Sequence, residues 1–219
     1  RFLAAYYWWQ LLETYGPIPF RPNYIAPTDF TLSDLMVGQR PFDEIVSHLD
    51  NEMLEASKQL PAVWQSVEKY GRITSVMCLT VRAKMLLFAA SPLVNGNEWY
   101  AGFKNYDGKF RFSQTYDPAK WKRAADANRE LIEAAHAAGH DLVREYNADG
   151  SIDPFMSCYN VFFLRGDQNP EALFIRSDCN FSEFEKHATP RGASGNGGLG
   201  VYQTLVDAFA MKDGSLPIT

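Results

Sequence analysis

Cleaving a sugar bond needs two carboxylates held about 5 to 9 Å apart, and acyl transfer needs a nucleophile with a base and an orienting group. Neither set can be assembled from this chain. Asp126, Glu130 and Glu133 recur at helical spacing on a face that reads as solvated, and Ser157-Cys158 and Ser194 lack a nucleophile-elbow setting. Gly195-Asn196-Gly197-Gly198-Leu199-Gly200 spells G-x-G-x-x-G, a loop that cradles a pyrophosphate when it joins a strand to a helix. Here His187, Thr189, Pro190 and Ser194 precede it and no βαβ pattern surrounds it, so it reads as a surface loop. Glu133, His136 and His140 share a helical face, but Gly139 interrupts before His140, which favours a solvated helix end over a metal site. Asn147, Asp149, Ser151 and Asp153 alternate oxygen donors around Gly150 as calcium loops do. The glutamate that would complete such a loop is missing, since Tyr159, Asn160 and Val161 follow, so an Asx-type turn is preferred and calcium stays an alternative. Cys78, Cys158 and Cys179 are odd in number and form no C-x-x-C, which speaks against a disulfide framework or a zinc site. No catalytic residue, metal ligand or cofactor is assigned.

Aromatic residues carry more information. Trp99, Tyr100, Phe103 and Tyr106 cluster where no helical period forces burial, and rings offer a flat apolar face to the C–H surface of a sugar at little entropic cost. The alternative is that they cap a helical core. A second stretch, from Arg176 to Arg191, mixes Asn180, Phe181, Phe184, Glu185 and His187, as a ligand surface or a long loop would. The candidate ligand-binding residues are therefore Trp99, Tyr100, Arg176, Asn180, Phe181, Phe184 and His187.

Helices must hold these residues. Phe2, Ala5, Tyr6, Trp9 and Leu12 recur at three- and four-residue steps, and Gly16, Pro17 and Pro19 end the pattern. After a long Pro-containing loop, Pro41, Asp43 and Glu44 open a second helix with an apolar face of Phe42, Ile45, Val46, Leu49, Met53 and Ala56, which Pro61 closes. From Thr74 to Ser91 the chain is apolar nearly all round, broken chiefly by Thr80, Arg82 and Lys84, so this helix needs neighbours on several sides. Ala83, Ala89 and Ala90 let them approach closely. Asp117-Pro118 starts a helix with a core stripe of Trp121, Ala124, Ala125, Asn128, Leu131, Ile132 and Ala135, and Gly139 stops it. Tyr106-Asp107-Gly108-Lys109 predicts a hairpin and Asn147-Ala148-Asp149-Gly150 another turn. Beyond residue 150 the pattern loosens to a strand at Glu171 to Arg176, a glycine-rich loop and a last helix from about Gln203 to Phe209. The fold class is mainly α, an irregular tetratricopeptide-like α-α superhelix with a few short strands.

The 219 residues are enough for a sizeable core, and 26 acidic against 21 basic residues give a net charge of −5. With no basic block, neither a nucleic-acid backbone nor an anionic membrane is favoured as a partner, and an uncharged or weakly charged ligand fits better. No apolar run reaches the roughly 18 residues of a bilayer span, and no signal sequence is present. The opening without Met and the stop at Leu216-Pro217-Ile218-Thr219 suggest part of a longer protein, some of whose segments would complete the cover of the apolar helix at 74–91.

Several stretches resemble the SusD/RagB family, the surface glycan-capturing lipoproteins of Bacteroidota. They are Arg1-Phe2-Leu3-Ala4-Ala5-Tyr6-Tyr7-Trp8 running to Tyr15-Gly16-Pro17-Ile18-Pro19, then Gly71-Arg72-Ile73-Thr74 opening the helix that ends Phe88-Ala89-Ala90-Ser91-Pro92-Leu93. Tyr116-Asp117-Pro118-Ala119-Lys120-Trp121 and Val206-Asp207-Ala208-Phe209-Ala210-Met211-Lys212-Asp213-Gly214 follow in order. The resemblance implies an α-superhelical scaffold, an outer-membrane lipid anchor outside this sequence, and a SusC-like TonB-dependent transporter that receives a captured oligosaccharide. It transfers no binding residue. The chain is accordingly expected to be one SusD-like region over 1–219, with a helix-pair scaffold over 1–140 and loop-rich, ligand-facing chain over 141–219. Non-catalytic capture of an oligosaccharide, or of a peptide, is the leading reading, and a structural helical-repeat adaptor that binds protein is the alternative.

Overall fold

A computed structural model describes residues 1–25, 27–175 and 181–216. The chain forms two compact units, Arg1–Ile175 and Arg176–Thr219. About 48% of it is helical, which makes the fold mainly α.

The first unit is built on four long helices: α1 (Phe2–Tyr15), α3 (Phe42–Lys58), α4 (Ser75–Ala90) and α5 (Ala119–Ala137), with the single-turn α2 (Leu32–Leu35) in the first long loop. They pack in chain order, α1 on α3, α3 on α4 and α4 on α5, as the pairs of a helical solenoid do. The apolar stripe of α1 is buried through Phe2, Ala5, Trp9 and Leu12, and that of α3 through all six residues named above. Gly16 ends α1 at φ +69°, its N–H bonded to the Leu12 carbonyl at 2.9 Å, in the left-handed region where a side chain would be strained. Thr74 caps α4 by accepting the Met77 N–H at 3.2 Å.

The helix expected to want cover from elsewhere is already covered. Along α4 only Lys84 and Leu87 are exposed, because α3 and α5 flank it and α1 touches it too. Fully buried large side chains such as Trp9, Leu49, Met53 and Met85 each stabilise this packing by about 1.5–3 kcal/mol.

Arg82, which interrupts the apolar pattern of α4, is buried and charge-paired. Its Nε meets Asp50 of α3 at 2.5 Å and its Nη1 meets Glu130 of α5 at 2.7 Å, while Arg123 of α5 donates to the other Asp50 oxygen. Glu130 is thus no idle surface carboxylate. The core stripe of α5 is rotated from the one the sequence suggested: Ala124, Ala127, Leu131 and Ala135 are buried, whereas Trp121, Ala125 and Ile132 are exposed. The close seam with α4 selects the small residues, and the bulky ones turn outward.

Both predicted turns form. Asn105 donates its N–H to the Lys109 carbonyl at 2.9 Å, and Lys104 and Phe110 form an antiparallel bridge around Asp107-Gly108. Asn147 to Gly150 closes the hairpin of β1 (Glu145–Tyr146) and β2 (Ile152–Asp153). The order does not loosen directly after residue 150, because α6 (Pro154–Phe163) follows, started by Asp153, whose carboxylate accepts the Met156 N–H at 3.0 Å, and by Pro154 in the first turn. The strand expected from Glu171 is absent: residues 171–175 are turn, bend and coil, and Arg176 lies outside the described residues. Among the described residues no partner strand pairs with them to supply a ladder.

The second unit holds α7 (Ser182–Ala188), a 3-10 turn at Arg191–Ala193 and α8 (Gln203–Asp207), shorter than the expected last helix. None of its described residues is buried.

Candidate functional site

The aromatic loop between α4 and α5 is fixed at its root. Asn95, 2% exposed, donates through its side-chain amide to the Asp117 carbonyl at 2.9 Å and accepts the Asp117 N–H at 3.0 Å, tying the end of α4 to the start of α5. Gly96 follows at φ +74°, so close to the chain opposite that a Cβ would stand 2.3 Å from the Tyr116 nitrogen. Asn97 then caps the 3-10 turn Glu98–Tyr100 by accepting the Trp99 N–H at 2.9 Å. Below it, Gln114 receives the Gly102 N–H at 3.1 Å and donates to the Phe112 carbonyl at 2.9 Å.

On this frame the four rings separate into two roles. Tyr100 lies flat on Phe112 at 4.1 Å with 13° between planes, and Phe112 stacks in turn on Phe42 of α3 at 5.7 Å. Tyr100 is a lid on the core. Phe103 leans on the same pair and takes the Arg111 guanidinium over its face at 4.5 Å. Trp99 is 87% exposed and Tyr106 86% exposed. The Trp99 ring has no stacking or cation–π partner among the described residues, so an apolar surface is held in water by a backbone that has few other options.

Phe181, Phe184 and His187 belong to the second unit. Phe181 is the N-cap of α7, Phe184 and His187 follow at three-residue steps, and all three are exposed. Arg176 and Asn180 lie outside the described residues. The glycine-rich loop closes against α7 and the turn after it: the amides of Gly195, Asn196, Gly197, Gly198 and Leu199 donate to the carbonyls of Pro190, Lys186, Thr189 and, for the last two, His187. Those amides are spent on the backbone, so this loop does not offer a phosphate cradle.

No cluster of three or more metal-ligating side chains occurs among the described residues. The Asn147 to Asp153 segment has Asx-turn geometry: Asp149 accepts the Ser151 N–H at 2.9 Å and its hydroxyl at 2.6 Å, and Asp153 is committed to capping α6. His140 bonds the Pro170 carbonyl at 3.0 Å, a structural role that keeps it from His136. Burial pushes the Cys78 thiol up to about 12, which makes it a poor nucleophile.

Sequence reasoning passed over a hollow of about 560 Å³ between the loop after α1 and the first turns of α3, lined by Phe20, Arg21, Asn23, Tyr24, Arg40 and His48 among others. Only Arg21-Pro22-Asn23-Tyr24 in the Pro-containing loop hinted at it, by placing cationic and aromatic groups side by side. Also unforeseen is the surface of α6, where Phe155, Tyr159 and Phe163 stack at 6.2 and 4.4 Å, one turn apart and exposed.

No protein-family model matches the chain, and no curated protein sequence does. Among solved structures, BT4246 is 39% identical with a TM-score of 0.60, covering 66% of this chain and 25% of its own. A selenomethionine form of BT4246 is 37% identical with a TM-score of 0.55, covering 66% of this chain and 24% of its own. A SusD-like protein (BF3747) from Bacteroides fragilis NCTC 9343 is 17% identical with a TM-score of 0.60, and the match covers 98% of this chain and 35% of that one. The chain therefore has a SusD-like fold and spans between a quarter and about a third of the length of these structures.

Proposed function

We propose that this SusD-like chain captures an oligosaccharide without transforming it, at the outer surface of a bacterial outer membrane, as part of a lipid-anchored protein that delivers its ligand to a SusC-like TonB-dependent transporter. The fold supports the class by analogy. The observation that carries the site is Trp99, a solvent-facing ring on a loop whose root is fixed by Asn95, Gly96 and Asn97. Such a ring is pre-organised to stack on a sugar, and binding costs little additional ordering. Tyr100, the ligand candidate next to it in sequence, stacks on Phe112 at the core. Phe181, Phe184 and His187 make a second candidate contact surface, and Arg176 and Asn180 remain ligand candidates from the sequence.

The adaptor reading draws on α6, whose exposed stacked rings suit a protein contact. Isothermal titration of the chain against a panel of glycans separates the two. Saturable heat without product supports capture, no binding to any glycan supports the adaptor, and consumption of the sugar refutes both.

A further inference from the structure

We propose that the hollow beside the start of α3 is a subsite for the carboxylate of an acidic sugar residue, a uronate or a sialate; the inference rests on the capture reading. The chain as a whole is acidic, and that favours neutral ligands only when charge is averaged over the surface. Locally the balance reverses. Arg21 and Arg40 line the hollow, and among the described residues the one acidic residue lining it is Glu44.

Both cations are placed for an incoming anion. Arg21 lies over the Tyr24 ring at 3.7 Å and donates one hydrogen bond of 2.9 Å, from Nη1 to the Asp34 carbonyl, which leaves the rest of its donor fork uncommitted among the described residues. The Asp34 carboxylate takes the Thr31 N–H at 2.8 Å and the Thr31 hydroxyl at 2.7 Å on one oxygen, and although it lies near enough to feel the Arg21 charge it makes no ion pair with the guanidinium. Arg40 has its backbone N–H fixed on the Ile18 carbonyl at 3.0 Å, while its side chain stands 3.8 Å from Glu44, an exposed pair beyond hydrogen-bond length that a better acceptor displaces at little cost.

The floor is held by packing. Phe20, buried, is held edge-on by Trp8 at 5.0 Å and by His48 at 5.1 Å. The His48 ring lines the hollow and makes no hydrogen bond among the described residues, so its nitrogens are free to meet hydroxyl groups. Two arginines for a carboxylate and an imidazole for hydroxyls, along one hollow, are the complement of an acidic monosaccharide unit.

The test titrates the chain with galacturonate, glucuronate and sialate oligosaccharides, each paired with its methyl ester, which keeps the ring and removes the charge. Acid forms should bind about tenfold or more tightly than their esters, and Arg21→Gln and Arg40→Gln should each abolish that difference. The wild-type preference should also shrink as salt rises, a readout that stands if Arg21→Gln disturbs the loop. Equal binding of acid and ester, or an acid preference untouched by both variants, overturns the subsite and leaves capture standing. Failure of every saccharide, neutral ones included, overturns capture and the subsite together. Competition by a poly-glutamate peptide at equal affinity overturns the saccharide assignment in favour of an acidic peptide.

Discussion

Replacing Asp50 by Ala tests how the helices of the first unit are held together. Asp50 accepts from Arg82 and from Arg123, and Arg82 has a side chain only 10% exposed. Removing one member of a buried pair typically costs about 3–5 kcal/mol, because the surviving charge stays desolvated. Two features reduce the cost here. Arg82 keeps Glu130, which is 48% exposed and so a weaker partner, and Arg123 is 44% exposed and recovers water. The expected loss is therefore near the lower bound, about 3 kcal/mol, or roughly 6–12 °C in melting temperature for a unit of this size. Urea unfolding followed by circular dichroism reads it directly. Lys122→Ala, which removes the exposed Lys122–Asp126 pair, is the control and should cost less than about 0.5 kcal/mol. The double change Asp50→Leu with Arg82→Met should recover most of the loss, since matched apolar side chains avoid burying charge. A loss below about 1 kcal/mol in the single variant would refute the reasoning, by showing that Arg82 reaches water or finds another partner.

Three further outcomes follow from the geometry. Trp99→Ala should weaken glycan affinity severalfold with an unchanged melting temperature, whereas Tyr100→Ala, which removes the stack on Phe112, should cost about 2 kcal/mol of stability; the reverse pattern in titration and melting would exchange their roles. Gly96→Ala forces a Cβ onto the Tyr116 backbone and should cost more than about 2 kcal/mol by urea unfolding, with neutrality showing that the loop shifts freely. Because the Cys78 thiol ionises near 9 when unfolded and near 12 when folded, its stabilising contribution is complete below 9 and falls away between those values. The stability advantage of the wild type over Cys78→Ala should therefore shrink with rising pH across that window in unfolding curves, and a constant gap would contradict it.

The long helices were legible because their signals are local. Phe42, Ile45, Val46, Leu49 and Met53 form one stripe whatever surrounds them, and Thr74 and Gly16 mark ends by chemistry that acts within one turn. Failures came where a distant partner decides. Arg82 and Glu130 read as interruptions or surface until α3, α4 and α5 stand side by side. The α5 stripe was read from helical spacing that started at Trp121 and so left out Ala127, whereas the buried face is set by the approach of α4 and runs through Ala124, Ala127, Leu131 and Ala135. Asp153 was weighed as a cation ligand when its partner was the Met156 amide, so the short helix behind it was missed. The aromatic loop was found from composition, but only the Tyr100–Phe112 stack distinguishes lid from exposed ring. The hollow at Arg21 and Arg40 joins chain segments nearly twenty residues apart, and no periodicity spans them.

The helix α6 has only Ser157 buried, and at ten residues it is too short to persist alone in water. Its anchorage is to the hairpin before it: the Ser157 hydroxyl receives the Glu145 N–H at 2.9 Å and donates to the Asp153 carbonyl at 2.6 Å, and Asn160 donates to the Glu145 carboxylate at 2.7 Å. Hairpin and helix are thus tied to each other, with Asn169 holding the Val161 carbonyl from the other side, and are expected to open together, while α3, α4 and α5 are held by their own core and ion cluster. The stacked rings ride on that pair. Whatever covers Phe155, Tyr159 and Phe163 raises the opening free energy of the whole segment from Glu145 to Phe163, so binding at the rings is felt at the far strand of the hairpin without any change of shape.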